Sequence, residues 1–594
     1  MQRLVRDQLI VLGVAGVLAF VNLGSAGLFD EDEPKNAACG QEMFDRGDWI
    51  VPTFNHDLRT DKPILLYWLM LASYHLLGVN EFAARLPSAL LAVGTSLVTY
   101  HLGRRLYGPL AGLLAGPIIA TSLNFDVVAR AATPDSTFVF FCTLSILIFV
   151  LSAFDQSRGD ASLRDWRAFV PRNLCWFVAI YAAMGLAALA KGPAGIVLPS
   201  CVMGLFLLVV GSRDAQVAAG DSWAARARGW LAWCRDCFHW RRIAEIAWAM
   251  RPWTALAVLS LIVLPWYIAV GIATDGAWLA GFLGKHNVGR FVGAMEGHSG
   301  PPFYYLVAIS IGFFPWSVFL LPCFARWKAR LGESAANRPA DLLIVCWLGF
   351  YLVFFTLART KLPNYVLPAY PALALATGAM LRDWLIAPAT RHWTQAALAF
   401  GTVAAVGIGM LIALPVVSYF LLPGEWLLAV AGVAPLVGGL VCLRWLKQQR
   451  WEHALAAFVI MAALNSAVLF GFVAARASRH QTSETLIALA QRQSAERPRI
   501  AAFDYFEPSL AFYARQQVGR FHTSEEVEKF FAAHPRDGYL ITHEKVLPQV
   551  EPALPPSVTI LARRRRFLRK GDVVLIGRPA EVATQPHDRL RRPQ

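Results

Sequence analysis

Fourteen apolar segments, joined by polar connections, run through most of this 594-residue chain. A helix needs about 20 apolar residues to cross a bilayer, and a series of such segments is typical of membrane proteins. The hydrophobic fraction of 56%, against 16% charged residues, agrees with that interpretation. We therefore predict an α-helical polytopic membrane protein. The segments lie at 8–28, 63–78, 82–106, 109–130, 135–154, 173–190, 193–211, 253–272, 303–325, 341–358, 364–386, 394–416, 425–445 and 452–475.

The arginine-rich connections predict which segment ends face the cytoplasm, because Lys and Arg are retained on that side. If 63–78 crossed the bilayer, Arg104-Arg105 would lie outside while the N-terminus stayed inside. That segment is also short, about 16 residues against the ~20 of a span. We therefore place it along the outer interface, which leaves about 13 transmembrane helices, a cytoplasmic N-terminus and an external C-terminal tail. The net charge of +15 then belongs to cytoplasmic loops and gives no reason to expect nucleic acid as a partner.

The loops predicted to lie outside carry nearly all the unusual polar residues of the membrane region. Four consecutive acids, at 30–33, follow the first segment, and three lysines, Lys62, Lys191 and Lys361, stand at outer helix ends. A solvated loop and lysines that anchor helix ends at the interface explain any one of these features. Three lysines that oppose the positive-inside trend together indicate an anion site on the outer face.

The composition changes near residue 476, which predicts a second domain. We expect residues 1–478 to form the transmembrane domain, with interfacial helices in its external loop 29–81, and 581–594 to be disordered. Residues 479–580 alternate β-rich runs with amphipathic patterns and predict a small α/β domain. Its predicted elements are strands at Arg499–Tyr505 and Gly538–Thr542, a helix at Ser524–His534 without a full capping box, and a hairpin that turns at Lys570-Gly571-Asp572.

A series of short motifs lies along the membrane region. They are Asp32-Glu33, RGDWIVP (46–52), DKPILLYWL (61–69), NEFAARLPS (80–88), ATPD (132–135), LAKGPAGIVLP (189–199), EGHSGPPFYY (296–305), GFFPW (312–316) and RTKLPNYVLPAYP (359–371). This ordered set resembles the 4-amino-4-deoxy-L-arabinose transferases that modify lipid A, within the protein-O-mannosyltransferase-like GT-C glycosyltransferase superfamily. The resemblance covers roughly residues 1–480 and, more loosely, the C-terminal domain.

The resemblance implies a GT-C fold and an inverting membrane glycosyltransferase whose sugar donor is linked to a polyprenyl phosphate. It implies a bacterial inner-membrane protein, with the active site and the C-terminal α/β domain in the periplasm. The implied acceptor is lipid A or another envelope glycolipid, and the implied enzyme is a monomer that requires no cofactor. A protein O-glycosyltransferase and a transporter of lipid-linked sugars remain as alternatives, although no internal repeat of the kind transporters carry is evident.

The resemblance also assigns residues, one by one. Asp32 matches the general base, Lys62 the lysine that contacts the lipid phosphate, and Asp135 the second essential acid. The chain departs from the family pattern at Thr133-Pro134-Asp135, where Arg-x-Asp is usual, and at Asp61, which replaces a Glu. The predicted catalytic residues are Asp32, Glu33 and Asp135, and the predicted substrate-binding residues are Asp61, Lys62, Arg130, Lys191, His298, Lys361 and Tyr365.

The chemistry of such a transfer agrees with these residue types. A polyprenyl phosphate leaves as an anion, so it needs positive charge more than a general acid. A hydroxyl acceptor needs a base, and a carboxylate among other carboxylates serves because its neighbours raise its pKa. The four acids at 30–33 offer an alternative role, since they could hold a divalent cation that bridges the phosphate. We predict no dedicated metal site.

Overall fold

The structure is a computed structural model that describes most of the chain. Asp30 of the acidic run, His298 and the predicted disordered tail 581–594 lie outside the described residues. The described residues are 2–29, 31–154, 165–210, 223–288, 300–331, 338–388, 390–494 and 496–579.

Every one of the fourteen apolar segments contains a helix, so the predicted helical membrane region is confirmed. The helices of this region are α1 (Gln2–Phe20), α2 (Asp32–Arg46), α3 (Leu65–Leu77), α4 (Glu81–Tyr107), α5 (Pro109–Ala120), α6 (Leu123–Ala129), α7 (Asp135–Ala153), α8 (Leu174–Lys191), α9 (Ala194–Val209), α10 (Trp223–Cys237), α11 (Trp240–Ala249), α12 (Pro252–Ala273), α13 (Tyr304–Gly312), α14 (Leu320–Leu331), α15 (Arg338–Leu357), α16 (Tyr370–Ile386), α17 (Thr390–Leu421), α18 (Val433–Lys447) and α19 (Trp451–Val468).

Eight of the described helices are long and apolar enough to cross a membrane, and two bent helix pairs raise the number to ten. The other three of the thirteen predicted spans are α1, α9 and α16. The first of these carries three charged residues near its start, and the other two have 16 and 17 residues. The multi-pass architecture is therefore confirmed, with eight to ten spans by length and composition.

Two predicted spans are sharply bent. Helices α5 and α6, within the predicted span 109–130, meet at 66°. The segment predicted at 303–325 turns by 117° between α13 and the helical stretch that follows it. Pro315 lies at that break, where a residue without an amide hydrogen cannot continue the helical hydrogen-bond ladder. The segment at 303–325 is therefore two helices joined at a bend.

The loop between α1 and α4 is folded, and it positions the candidate site. Helix α2 begins with Asp32 and Glu33, whose charges suit the positive end of the helix dipole. It ends at Arg46 and is followed by Gly47 in the left-handed conformation. A two-stranded hairpin follows, β1 (Thr53–Phe54) with β2 (Asp57–Leu58). Helix α3 has 13 residues, about 20 Å in length, which is less than the ~30 Å of the hydrocarbon core. This length agrees with the prediction that 63–78 does not span, and its interfacial position stays a prediction.

The C-terminal region contains a five-stranded mixed sheet of order β4-β3-β5-β7-β6. Strand β3 pairs in parallel with β4 and β5, and β7 pairs antiparallel with β5 and β6. The predicted strands at Arg499–Tyr505 and Gly538–Thr542, and the predicted hairpin, are confirmed. The strands are β3 (Arg499–Phe503), β4 (Gly519–Phe521), β5 (Gly538–His543), β6 (Thr559–Arg565) and β7 (Asp572–Gly577), and the main helices are α20 (Thr482–Gln493), α21 (Pro508–Ala514) and α22 (Ser524–Ala533).

One prediction for this region was wrong. Helix α22 has a complete capping box, in which the Thr523 side chain accepts from the amide of Glu526 and the Glu526 side chain accepts from the amide of Thr523. The prediction took Ser524 as the start of the pattern, whereas the cap is Thr523, the residue before it.

The C-terminal domain packs on the loop that carries Asp32. Helix α21 contacts α2. The Asn55 side chain donates to the carbonyl of Val518 at 3.1 Å and accepts from its amide at 2.8 Å, in the manner of a paired strand. The hydroxyl of Tyr513 accepts from the amide of Leu28 at 3.0 Å. These contacts hold the C-terminal domain against the residues that precede and follow α2.

Candidate active site

An ion pair joins the ends of two neighbouring helices. Asp135 is the first residue of α7 and Lys191 is the last residue of α8, and the two helices pack against each other. The Lys191 Nζ lies 2.5 Å from Asp135 Oδ1, and the Asn364 amide donates to Oδ2 at 3.3 Å. Each charge sits at the helix end that its sign favours. Asp135 is only 5% exposed, so the pair is held in a largely dry environment.

Aromatic rings surround the ammonium group of Lys191. Its Nζ lies 5.5 Å from the centre of the Phe138 ring and 5.6 Å from that of the Tyr365 ring. The negative faces of such rings attract a cation within about 6 Å. The lysine is therefore held at a fixed place by a carboxylate and two rings, and it presents positive charge to an apolar surrounding.

A cavity of about 500 Å³ lies on the carboxylate side of this pair. Its wall includes Asp32, Glu33, Arg130 and Asp135, so the structure brings together four of the residues predicted from the sequence. Asn364 also lines it. We call this space the acidic cavity.

A smaller cavity of about 170 Å³ lies on the lysine side. Asp61, Lys62, Lys191 and Tyr365 line it, which places four more of the predicted residues in one site. The rest of its wall is mainly apolar and includes Phe138, Phe282, Phe354 and Phe355. We call this space the aromatic cavity, and the pair Asp135–Lys191 lies between the two cavities.

The two predicted acids of α2 have different surroundings. Asp32 is exposed at the first turn of the helix and lines the acidic cavity. Glu33 is buried, and its carboxylate accepts from Arg85 at 2.7 and 3.0 Å and from the amides of Phe29 and Ala132 at 2.9 and 3.0 Å. A carboxylate held by four donors is fixed in position, and both of its oxygens are engaged.

Arg85 is a site residue that the sequence analysis missed. Besides its two bonds to Glu33, it donates to the carbonyls of Leu23, Ala26 and Gly27 at 2.9, 2.6 and 2.9 Å. The signal was an arginine inside the apolar run of α4, where an unpaired charge is costly. The pair Arg85–Glu33 ties the end of the α1 connection to the first turn of α2.

Arg130 lines the acidic cavity, but its guanidinium is already engaged. It donates to the carbonyls of Leu18, Ala19 and Val21, at the C-terminal end of α1. Its guanidinium also lies 5.4 Å from the centre of the Phe470 ring. The predicted role in substrate binding therefore competes with a role as a helix cap.

Arg59, which the sequence analysis did not single out, lies beside Asp61. Its side chain is buried, donates to Asn36 Oδ1 at 2.9 Å and lies 3.7 Å from Asp61 Oδ2. Its backbone carbonyl accepts from the Trp278 indole at 2.8 Å. These contacts fix the turn that presents Asp61 and Lys62 to the aromatic cavity.

The remaining predicted residues lie elsewhere. Lys361 is buried and donates to the carbonyls of Pro301 and Thr356 at 3.3 and 3.1 Å, and it lines neither of the two cavities. His298 falls outside the described residues. Within the described ranges, no group of three or more His, Cys, Asp or Glu side chains is arranged to hold a metal ion.

This architecture, with a multi-helix membrane domain, a folded first loop and a C-terminal domain on that loop, agrees with the GT-C fold that the sequence resemblance implies. Comparisons with known proteins agree. Residues 61–219 match the family model described as dolichyl-phosphate-mannose-protein mannosyltransferase. This match confirms the predicted resemblance to the superfamily. The predicted enzyme class, a glycosyltransferase, agrees with the description of this family and with the name of a relative from Pectobacterium.

The chain is 27% identical over 469 residues to the undecaprenyl phosphate-alpha-4-amino-4-deoxy-L-arabinose arabinosyl transferase of Pectobacterium carotovorum, covering 77% of this chain and 74% of that protein. It is 28% identical to an uncharacterised protein of Aquifex aeolicus, over 63% of this chain. That match covers 64% of the Aquifex protein, less than two thirds of its length.

The fold is that of the crystal structure of ArnT from Cupriavidus metallidurans bound to undecaprenyl phosphate. The two structures superpose with a TM-score of 0.71 at 23% sequence identity, over 96% of this chain and 97% of that one. The predicted fold class, a GT-C type membrane protein with a small C-terminal sheet domain, is thereby confirmed.

Proposed function

We propose that this protein is an inverting membrane glycosyltransferase that moves a sugar from a polyprenyl phosphate to an envelope acceptor. The observation that carries the proposal is the ion pair Asp135–Lys191 between an aromatic, cation-bearing cavity and an acidic one. The aromatic cavity suits a lipid phosphate with its first prenyl units. The acidic cavity suits an acceptor that must lose a proton.

The donor phosphate lies between Lys62 and Lys191 in this proposal. Both lysines line the aromatic cavity, whose phenylalanine walls suit an apolar chain. The bond that breaks joins the anomeric carbon to the phosphate oxygen, and the leaving polyprenyl phosphate carries away the bonding electron pair. Positive charge that is already in place stabilises the charge developing on that oxygen without reorganisation.

The acceptor enters through the acidic cavity and attacks the anomeric carbon from the face opposite the phosphate. This single displacement inverts the configuration of that carbon. Where the acceptor is a hydroxyl, its proton passes to Asp32, whose carboxylate is exposed at that cavity. Where the acceptor is a phosphate oxygen, no base is needed. Asp135 holds Lys191 in position, and Glu33 with Arg85 positions the turn that presents Asp32.

For the substrates we propose 4-amino-4-deoxy-L-arabinose or a related pentose or hexose on undecaprenyl phosphate, and lipid A or another envelope glycolipid as acceptor. The name of the Pectobacterium relative supports the sugar and its carrier, and the structural neighbour with bound undecaprenyl phosphate supports the carrier. We place the protein in the bacterial inner membrane, with both cavities and the C-terminal domain on the periplasmic side, because the arginine-rich loops then all lie in the cytoplasm.

Mass spectrometry of envelope glycolipids from cells with and without the gene tests the proposal. We expect one glycolipid to lose the mass of one sugar when the gene is deleted. The matched family model carries the name of a protein mannosyltransferase, which keeps protein hydroxyls as a second candidate acceptor. Unchanged glycolipids together with the loss of sugar from envelope proteins would favour that candidate, and no change in either would refute transfer.

A further inference from the structure

A third cavity, of about 490 Å³, lies between α2 and the C-terminal domain, separate from the two cavities assigned to catalysis. Its volume is within the ~300–1,000 Å³ range of ligand pockets in proteins. Helix α2 forms its floor, and the edge strand β4 with the ends of α21 and α22 forms its walls. We call it the seam cavity.

The floor of the seam cavity is one face of α2. Ala38, Gln41, Glu42 and Asp45 follow the three- and four-residue spacing that places side chains on one side of a helix, and all four line the cavity. Gln41 is only 3% exposed, and its Oε1 has no hydrogen-bond partner among the described residues. A buried amide oxygen without a donor is costly, so this face of α2 lacks one hydrogen-bond donor.

The charge of the seam cavity is positive. Four arginines line it, Arg46, Arg497, Arg499 and Arg515, against the two acids Glu42 and Asp45. The Glu42 carboxylate already accepts from Thr53 and from the amides of Asn55 and His56. Arg46 lies within 4 Å of the carboxylates of Glu42 and Asp48.

Arg497 and Arg515 donate to backbone carbonyls, which leaves their charge in place, and Arg499 lies 4.0 Å from Asp537, which does not line the cavity. Among the groups that line the cavity, these three arginines therefore remain against one acid. Burial raises the pKa of that acid, Asp45, despite the nearby charges of Arg515 and Arg497. An anion is the ligand that this charge favours.

The other wall residues suit a saccharide. Gln516 and Gln517 bring amides, which both donate to and accept from hydroxyl groups. Phe521 and Phe530, whose ring centres are 5.4 Å apart, also line the cavity. Aromatic surface with a few polar groups is typical of pockets that hold a ligand with both apolar and hydroxyl faces.

We propose that the seam cavity binds an anionic saccharide, a sugar that carries a phosphate or a carboxylate. The arginines of the domain hold the anionic group, and the amides and phenylalanine rings hold the sugar. Since Asp32 opens the helix that forms the floor, an occupied cavity joins the C-terminal domain to the helix that carries the proposed base. The proposal concerns binding and does not rest on the transfer reaction.

The test is calorimetric titration of the full-length protein in detergent, without donor, with glucose 6-phosphate, glucose and inorganic phosphate as probes. We expect glucose 6-phosphate to bind about tenfold or more tightly than either of the other two, because each of those offers only part of the contacts. The Arg499→Gln variant should bind glucose 6-phosphate about tenfold more weakly, as a charge-assisted hydrogen bond is lost. Asp45→Asn should bind it more tightly, since a like charge is removed.

Arg492→Gln is the matched control, because Arg492 is exposed in the same domain and does not line the cavity. Its affinity should equal that of the unsubstituted protein. Opposite effects of Arg499→Gln and Asp45→Asn cannot arise from misfolding. The absence of binding, equal affinity for glucose 6-phosphate and inorganic phosphate, or an Arg499→Gln variant that binds normally would each overturn the proposal. Displacement of glucose 6-phosphate by lipid A in mixed micelles would identify a lipid-borne saccharide as the source of the ligand. If lipid A does not displace it, the ligand is a free sugar.

Discussion

The Nζ atom of Lys191 lies 2.5 Å from Oδ1 of Asp135, although 56 residues separate the two in the chain. Asp135 faces the acidic cavity and Lys191 faces the aromatic one. Because the pair lies between the two cavities, Lys191 can act on the donor while Asp135 holds Lys191 in position. In our proposal this is where the glycosyl bond breaks, and the first prediction concerns this pair.

Replacing Lys191 with Gln should lower turnover by about 10²- to 10³-fold, because a fixed charge next to the leaving phosphate is lost. The measurement is the rate of sugar transfer by the purified protein from an undecaprenyl-phosphate sugar. Lys361→Gln is the matched control, since Lys361 is a buried lysine that donates to carbonyls and lines neither cavity. Equal losses in the two variants would contradict a specific role for Lys191.

Replacing Lys62 with Ala should weaken donor binding as well as turnover, because Lys62 is the second cation of the aromatic cavity. We expect transfer to be abolished while expression and membrane insertion stay normal. The measurement is binding of undecaprenyl phosphate to the purified variant, alongside its transfer rate. A variant with near-normal turnover would remove Lys62 from the mechanism.

Replacing Asp32 with Asn should lower transfer to a hydroxyl acceptor by about 10²- to 10⁴-fold, the usual contribution of a general base. The substitution keeps the size of the side chain and its position at the first turn of α2. Comparison with an acceptor that presents a phosphate oxygen distinguishes the role, since such an acceptor has no proton to lose. A loss that is as large for the phosphate acceptor would show that Asp32 is not acting as a base.

Replacing Arg85 with Ala should destabilise the fold, by about 3–5 kcal/mol, because it leaves the Glu33 carboxylate buried and unpaired. The measurement is the thermal unfolding midpoint of the protein in detergent. The double variant Arg85→Ala with Glu33→Gln should recover part of the loss, since the remaining group is neutral. If the single variant melts at the temperature of the unsubstituted protein, the pair has no structural role.

Cysteine labelling tests the orientation. In a cysteine-free background, Pro109→Cys, at an exposed position next to Arg104-Arg105, should resist a membrane-impermeant thiol reagent in intact cells. Asp57→Cys, exposed in the hairpin of the first loop, should react. Reaction of the first and protection of the second would reverse the orientation that we propose.

Much of the architecture was predictable because it depends on local composition. Each apolar segment became a helix, since a chain in a bilayer must satisfy its backbone groups within each segment. The strands β3 and β5 and the β6–β7 hairpin were predictable from alternation and from the turn at Gly571. The count of about 13 spans stays a prediction, because α1, α9 and α16 are shorter or more charged than the eight to ten spans that length and composition alone identify.

The candidate site residues could be chosen from the ordered motifs, and their contacts could not. The motifs pointed to Asp32, Glu33 and Asp135 alike, yet the structure ties Glu33 to Arg85 and pairs Asp135 with Lys191. Lys361 and Arg130 are engaged with backbone carbonyls. Which polar groups are free for substrate depends on their partners, and those partners come from distant helices.

The sequence by itself determined that the chain is a multi-pass membrane protein with a C-terminal α/β domain, and it determined the residue types that gather at helix ends. Hydrophobic length and charge are properties of short segments, so they can be recognised without knowing what packs against them. Only the tertiary structure decided that Asp135 and Lys191 meet between two cavities, that Arg85 and Arg59 support the acidic loop, and that a third cavity lies under the C-terminal domain. Those features arise from contacts between residues far apart in the chain, and local sequence does not encode the distances between them.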